Sequence, residues 1–198
     1  MIQNYLFPSK EKADNILEQY PMPDKVINHS KEVSRCAVII GLQVKYPYLE
    51  LLRVGGLLHD IGRHKYCTEN KFSVQEDRHE YETGALLKSL GFLEFGDMLA
   101  RHPLGGLTVH ETKILSYPEP VDLMPNSIES KIICIADKIR PTEGIITLEQ
   151  KIEDYKASKR LHERYFSKLP GLLDLTIDRV TKIWHELESL GMNVNNLN

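Results

Sequence analysis

Apolar residues recur along most of the chain at the three- and four-residue spacing of helices that bury one face. Prolines, glycines and helix-capping residues interrupt this pattern at regular places. The pattern predicts helices over residues 10–20, 24–45, 48–61, 73–91, 93–102, 126–139, 147–168 and 171–190. The helix over 48–61 is apolar almost all round, which predicts a central position with Gly62 as its C-terminal stop.

The segments between and after these helices have loop character. Residues 103–125 are rich in proline and glycine and are predicted to be mainly loop, with one helical turn around 111–115. Ser73 and Glu76 have the spacing of a capping box, and Asn126 can cap the helix that follows it. The last eight residues, "GMNVNNLN", are expected to form a frayed tail. Since no strand pattern is visible, the chain is predicted to be all-α and single-domain.

Composition narrows the function classes. The 198 residues carry a net charge of −3, with 41% hydrophobic and 27% charged residues, which argues against a polybasic nucleic-acid or membrane-surface binder. No membrane span or signal peptide is apparent, so a cytoplasmic location is expected. The three cysteines are sparse and form no CxxC, which argues against disulfides and thiolate zinc sites.

Six ionisable side chains fall on or beside apolar helix faces, where an isolated charge is costly. His29, for example, follows Val26 by three residues and precedes Val33 by four. A single inward histidine is more often a hydrogen-bonded core residue, and a single aspartate such as Asp137 more often pairs with a neighbouring cation. The complete set is His29, His59, Asp60, His79, His102 and Asp137.

A shared divalent cation would remove the cost of burying all six, since it takes neutral imidazole and ionised carboxylate as ligands. The set contains nitrogen and oxygen but no sulfur. It therefore suits manganese, iron, cobalt, nickel or zinc, with magnesium less well matched because of the imidazoles. Six ligands indicate two ions rather than one.

The ordered set of His29, then His59 and Asp60 in "HDIG", then Asp137 in "IADKI", resembles the HD superfamily of metal-dependent phosphohydrolases over about residues 24–140. His79 and His102 look like the extra ligands of its two-metal subgroup, which includes the bacterial symmetrical diadenosine tetraphosphate hydrolases and the HD-GYP cyclic-dinucleotide phosphodiesterases. The stretch "RHPLGG" lacks a second adjacent histidine and no GYP triplet follows, so cyclic-dinucleotide hydrolysis is not supported. The run over residues 101–140 looks more like small archaeal HD-domain proteins of unassigned substrate.

The resemblance implies a helical HD bundle, with an N-terminal helix in 1–23, the metal-binding domain in 24–146 and C-terminal helices in 147–198 packing on the same domain. It implies that His29, His59, Asp60 and Asp137 are core ligands. It also implies that His79 and His102 complete the binding site of a second ion, and that Asp60 bridges the two ions. The implied reaction is hydrolysis of a nucleotide or other small phosphate ester or anhydride by a metal-activated water, with His59 and Asp60 at the catalytic centre.

Basic side chains near these ligands are candidates for holding the phosphates of such a substrate. Arg63 is the first choice, because a guanidinium fork matches phosphate geometry. Solvated surface charge is the plain alternative for each of them. The candidates are Arg63, Lys65, Arg101 and Lys138.

Two other functions share this residue set. A di-iron oxygenase of the HD type would use oxygen rather than water, and a catalytically silent module would bind metal or nucleotide without turnover. Neither bulk nucleic acid nor a membrane is an expected partner. The aromatic residues of the C-terminal helices fit core packing or a homodimer contact, and the sequence leaves both open.

Overall fold

The computed structural model describes residues 6–68, 71–72, 78–139 and 146–197. Its helices are α1 (Lys10–Gln19), α2 (Asp24–Gln43), α3 (Leu49–Leu58), α4 (His79–Ser89), α5 (Leu93–Leu99), α6 (Val109–Ile114), α7 (Ile128–Ile139), α8 (Leu148–Ala157), α9 (Lys159–Leu161) and α10 (Leu172–Ser189). Three 3₁₀ segments and one π-helical segment complete the helical part: Ile61–Lys65, Pro103–Gly105, Val194–Asn196 and, as the π segment, His162–Phe166. The strands β1 (Cys67–Thr68) and β2 (Lys71–Phe72) form a two-residue antiparallel ladder. The all-α prediction is confirmed, and this ladder is a small departure from the expected absence of strands.

Helix α3 occupies the centre of the bundle, as its apolar sequence predicts. It packs against α1, α2, α5 and α7. Glu50 and Arg53 near its start are exposed, but residues 54–58 are all buried, so the C-terminal end of α3 lies inside the protein. The buried side chains of α3 are Leu51, Leu52, Val54, Leu57 and Leu58.

Gly56 allows α2 and α3 to approach closely. A Cβ atom at this position would lie 2.3 Å from the Cα atom of Ser34 on α2, which is far inside van der Waals contact. The Ser34 hydroxyl also donates a hydrogen bond to the carbonyl of Arg53 at 2.7 Å. This contact places the segment of α2 that follows His29 directly against the last turn of α3.

Gly62 does not end α3, contrary to the sequence prediction. The helix ends at Leu58, and Gly62 lies within the 3₁₀ segment that follows. Its amide donates to Thr83 Oγ1 at 3.0 Å, and the Thr83 hydroxyl donates to the carbonyl of His59 at 2.9 Å. A Cβ atom on Gly62 would lie 2.2 Å from the carbonyl oxygen of His79. The glycine therefore serves close contact with α4 rather than helix termination.

Two serines set helix boundaries that the sequence analysis misplaced. Helix α7 begins at Ile128 and is capped by Ser127 rather than Asn126, since Ser127 Oγ accepts from the amide of Ser130 at 3.2 Å. The single helix predicted over 147–168 is interrupted at Ser158, whose backbone is extended and whose hydroxyl accepts from the amide of Leu161 at 3.3 Å. Local side-chain capping decided both boundaries.

The C-terminal residues 191–197 are packed on the bundle, so the predicted frayed tail is wrong. Leu197 is fully buried and Met192 nearly so. The side-chain oxygen of Gln43 on α2 accepts from the amide of Asn193 at 2.8 Å. This segment is mostly polar, and its apolar side chains Met192, Val194 and Leu197 pack against the core. So few apolar residues give no clear signal of packing in the sequence.

The segment over residues 103–125 contains α6 and is tied to α10. Thr108 and Glu111 form a capping box at the start of α6. Arg179 of α10 makes a two-pronged ion pair with Glu111, with both N–O distances at 2.9 Å, and it also donates to the carbonyl of Gly106 at 2.9 Å. The long connection is therefore fixed at both α6 and Gly106.

Some sequence predictions fall where no structure is described. The Ser73–Glu76 capping box lies outside the described residues, and α4 begins at His79. Among the helices in the described ranges, none has the length and apolar content needed to cross a bilayer.

Candidate metal centre

The six predicted ligands come from five parts of the bundle and meet at one place. They form two adjoining groups, and within each group one donor atom per residue lies within 4.8 Å of the others. We call these the Asp137 group, which comprises His29, His59 and Asp137, and the Asp60 group, which comprises Asp60, His79 and His102. Each member sits on a helix or at a helix end, so the backbone that positions it is regular and well packed.

The Asp137 group joins α2, the end of α3 and α7. His29 Nε2 lies 3.1 Å from Asp137 Oδ1, and His59 Nε2 lies 3.6 Å from the same oxygen. The rings of His29 and His59 meet edge to face, with centroids 5.3 Å apart. Three nitrogen and oxygen donors thus surround one small volume.

The Asp60 group joins the end of α3, the start of α4 and the end of α5. His79 Nε2 lies 3.0 Å from Asp60 Oδ1 and 3.2 Å from His102 Nε2, while His102 Nε2 lies 3.8 Å from Asp60 Oδ1. His59 Nε2 is 3.7 Å from Asp60 Oδ1. His59 and Asp60 therefore stand where the two groups meet, although sequence neighbours on a regular helix diverge by about 100°. The end of α3 at Leu58 makes this convergence achievable.

Two of the imidazoles are oriented by the carbonyls of their own helix ends. His59 Nδ1 lies 2.8 Å from the carbonyl oxygen of Gly56, and His102 Nδ1 lies 2.8 Å from that of Leu99. A carbonyl only accepts, so each Nδ1 carries the proton and donates it, which leaves the Nε2 lone pair free. Burial, together with the charge of His59, lowers the pKa of His102 to about 3. His102 is therefore a neutral imidazole across the physiological pH range.

Both carboxylates are held in the ionised form. Burial alone would raise the pKa of Asp60, but the guanidinium charge of Arg63, together with the contacts to His59 and His79, outweighs burial and holds that pKa well below its usual range. For Asp137, burial is likewise outweighed by the charge of Lys138 and by the hydrogen bond from His29. Ionised carboxylates and neutral imidazoles are the protonation states in which these side chains bind cations.

The donor set fits a divalent cation on two observations. His59 Nε2 and Asp60 Oδ1 are buried, and neither has a hydrogen-bond partner among the described residues. A buried polar atom without a partner costs about 1–3 kcal/mol, or more when it is charged. Donors that share an ion at about 2.0–2.2 Å lie roughly 3.0–3.6 Å from one another. The separations of 3.0–3.8 Å in the Asp60 group are close to that range.

Of the four predicted phosphate contacts, Arg63 and Lys138 touch the ligands. Arg63 Nε donates to Asp60 Oδ2 at 2.6 Å, and its Nη2 lies 3.1 Å from His79 Nε2. Lys138 is buried, contacts the carboxylate of Asp137 and donates to the carbonyl of His102 at 3.0 Å. Its position ties α7 to the end of α5, and the charge of Asp137 outweighs burial in raising its pKa.

The other two basic residues are engaged elsewhere. Lys65 is exposed and pairs with Glu82. Arg101 donates to Asp97 Oδ2 and to the carbonyl of Met124, each at 2.8 Å. None of these contacts involves a predicted ligand, and the role of Lys65 and Arg101 as phosphate contacts stays a prediction.

The sequence analysis missed two residues that support the site. Thr83 links Gly62 to the carbonyl of His59, and Glu80 is a fully buried carboxylate beside His79. A signal for Glu80 was present, because it precedes Gly84 and Leu87 by four and seven residues and so shares their buried face.

Comparison with protein-family models identifies the region that carries these ligands. The model described as "HD domain" matches residues 26–142, which is more than half of the chain. The chain belongs to the HD-domain family. The match covers all six ligands, and HD domains bind divalent metals and are typically phosphohydrolases.

The curated relatives include one protein of similar extent and two longer proteins. The uncharacterized protein MJ0778 of Methanocaldococcus jannaschii is 34% identical over 134 residues, which covers 65% of this chain and 73% of that protein. The tRNA (cytidine(56)-2'-O)-methyltransferases of Thermoplasma volcanium and Picrophilus torridus are 27% and 28% identical, over 76% and 88% of this chain. This chain spans only 42% and 50% of those two enzymes.

Solved structures with a similar helical arrangement include the HD domain of the L. monocytogenes phosphodiesterase PgpH. It matches at 18% identity and a TM-score of 0.46, covering 89% of this chain and 98% of that domain. The same domain in complex with cyclic-di-AMP matches at 17% identity and a TM-score of 0.48, covering 92% of this chain and all of that domain.

Proposed function

We propose that this HD-domain chain is a metal-dependent phosphohydrolase that cleaves a nucleotide or another small phosphate ester or anhydride. The observation that supports this most directly is the junction of the two donor groups at His59 and Asp60, where buried polar atoms lack hydrogen-bond partners. Two divalent ions held there would supply an activated water and would stabilise charge on the phosphoryl oxygens.

The side chains have separable roles in this proposal. The ligands of the Asp137 group would hold one ion and those of the Asp60 group the other, with Asp60 Oδ1 nearest to both groups. Asp60 Oδ2 stays bound to Arg63, which fixes the carboxylate plane. The helix-end carbonyls keep His59 and His102 in the tautomer that presents Nε2.

Arg63 is placed to contact the substrate. Its Nη2 faces the lone pair of His79 Nε2, and that lone pair serves either Arg63 or an ion but not both. Ion binding at His79 would therefore release Nη2 while Nε remains on Asp60. The Arg63 guanidinium would then lie beside the ion, where its fork geometry matches a phosphate group.

The proposal is tested by metal analysis of the purified protein, followed by phosphate release from nucleotides and dinucleoside polyphosphates. A short RNA belongs in the panel because two relatives are tRNA methyltransferases. We expect two bound ions per chain, and we expect Asp60→Ala to lose both metal and hydrolysis. Asp178→Asn is the matched control, since Asp178 is an exposed carboxylate on α10 paired with Lys182.

The alternative functions give different results in the same experiment. Full activity and full metal content in Asp60→Ala would refute the site. Oxygen uptake by the reduced iron form, without phosphate release from any substrate, would favour an oxygenase. Tight nucleotide binding without turnover under any metal would favour a silent binding module.

A further inference from the structure

Glu80 is a fully buried carboxylate that belongs to neither ligand group. It follows His79 directly in α4, and none of its surface is exposed. Burying a carboxylate costs several kcal/mol unless charged or hydrogen-bonding partners compensate it. The partners of Glu80 therefore indicate what the protein gains from placing it there.

Glu80 is held from one side by residues distant in sequence. Its Oε1 accepts from the hydroxyl of Tyr117 and, at 3.3 Å, from that of Tyr165, while Arg164 Nη2 donates to Oε2 at 3.2 Å. The Arg164 guanidinium lies over the Tyr165 ring, 4.6 Å from its centroid, which fixes its direction. Arg164 and Tyr165 belong to the π-helical segment His162–Phe166, beyond the region matched by the HD-domain model.

On the other side, Glu80 faces His79. Glu80 Oε2 lies 3.2 Å from His79 Nδ1, the ring nitrogen opposite the one that faces Asp60 and His102. His59 and His102 each use a carbonyl of the preceding helix turn for this purpose. At His79, the carboxylate of Glu80 lies beside the corresponding nitrogen.

We propose that Glu80 is a positioning residue for the ligand His79, and that the segment His162–Phe166 sets its orientation through Arg164 and Tyr165. The inference rests on the metal centre of the proposed function. A carboxylate that accepts from Nδ1–H keeps the proton on that nitrogen, leaves Nε2 free and makes it a stronger donor. The C-terminal segment is then part of the support of one ion.

The test compares ion affinities in full-length variants. Wild type and Glu80→Gln are titrated with Co²⁺ alone against a competing chelator, and the histidine tautomers of the metal-free proteins are determined by ¹⁵N NMR. We expect Glu80→Gln to weaken one ion about 10–100-fold and to leave the other unchanged. We also expect the His79 tautomer to lose its preference for a protonated Nδ1.

Two tyrosines provide a milder test with a matched control. Tyr165→Phe removes a hydroxyl that contacts Glu80, and we expect it to weaken the same ion by a smaller factor. Tyr46→Phe removes a hydroxyl that donates to Glu129 Oε1, at the end of α7 remote from Asp137, and we expect neither affinity to change. If Glu80→Gln does not fold, as judged by circular dichroism, this pair of variants decides the question.

The inference would be overturned if each ion bound to Glu80→Gln with the same affinity as to wild type. It would also be overturned if the two tyrosine variants bound each ion with the same affinity as one another. A purely structural role predicts lower thermal stability with both affinities intact. A wild-type protein that binds two ions but hydrolyses no phosphate compound refutes the proposed function instead. Selective weakening of one ion in Glu80→Gln would still support the role of Glu80 in that case.

Discussion

Alanine substitution at the two adjacent glycines of α3 is expected to change the stability of the protein to very different extents. A Cβ atom on Gly56 would lie 2.3 Å from Ser34 Cα and 2.5 Å from its amide nitrogen, and both are backbone atoms. Restoring an ordinary contact of about 3.4 Å requires α2 and α3 to separate by about 1 Å. Overpacking of this kind costs about 2–4 kcal/mol, partly offset by about 1 kcal/mol of helix propensity. The net loss for Gly56→Ala is therefore about 1–3 kcal/mol.

Gly55 meets only the ends of flexible side chains. Its added Cβ atom would lie 3.2 Å from Ile133 Cδ1 and 3.3 Å from Leu99 Cδ2, and small rotations relieve both contacts. That strain and the gain in helix propensity are each about 1 kcal/mol or less. Gly55→Ala is thus expected to change stability by less than about 1 kcal/mol and serves as the control for its neighbour.

Thermal unfolding of the two variants in chelator gives the comparison directly. For a chain of this size, 1–3 kcal/mol corresponds to a fall in Tm of about 2–12 °C. Because α2 carries His29 and α3 leads into His59, Gly56→Ala should also weaken ion binding at the Asp137 group. Equal Tm values for the two variants would show that the close approach of α2 and α3 does not require Gly56.

Three further predictions concern the site and its anchoring. Arg63→Lys keeps the positive charge but loses the guanidinium fork, so we expect KM in steady-state kinetics to rise about tenfold or more. The metal content of this variant is expected to change by a smaller factor than KM. The pKa of Glu111 is lowered, since hydrogen bonds from Arg179 outweigh its burial; its contribution to stability is present above about pH 4.5 and is lost as the pH falls. Urea unfolding should therefore show a gap between wild type and Glu111→Gln that is wide at pH 6 and narrow at pH 3.5. The pKa of His29 is raised because its hydrogen bond to Asp137 outweighs burial, so calorimetry should find weaker ion binding at the Asp137 group at pH 6 than at pH 8.

The convergence of the six predicted ligands could be anticipated from the sequence, because burial of ionisable groups leaves a periodic signal. His29 shares a face with Val26 and Val33, and no arrangement of α2 buries those two while exposing His29. The apolar run of α3 similarly required its end to be buried, together with His59 and Asp60. Helix propensity and periodicity are local properties, and they were sufficient for the all-α class.

Features set by contacts between distant segments were not predictable in the same way. Lys65 is a long, flexible side chain, and packing that the sequence does not reveal brings its partner Glu82 on α4 close to it. Gly62 resembled a helix stop because both a stop and a close contact favour glycine. The distinction depends on how near α4 comes, which only the folded structure shows.

The hydrogen bonds from His59 and His102 to carbonyls of their own helix ends have a consequence for how such a centre can diversify. Each ring is oriented by a carbonyl of the helix that precedes it, and not by the loops that connect the helices. Connecting segments such as the one over residues 103–125 can then change in length and sequence while the ion-binding geometry is retained. A helical frame of this kind can acquire new substrates by exchanging its loops, without rebuilding its reactive centre.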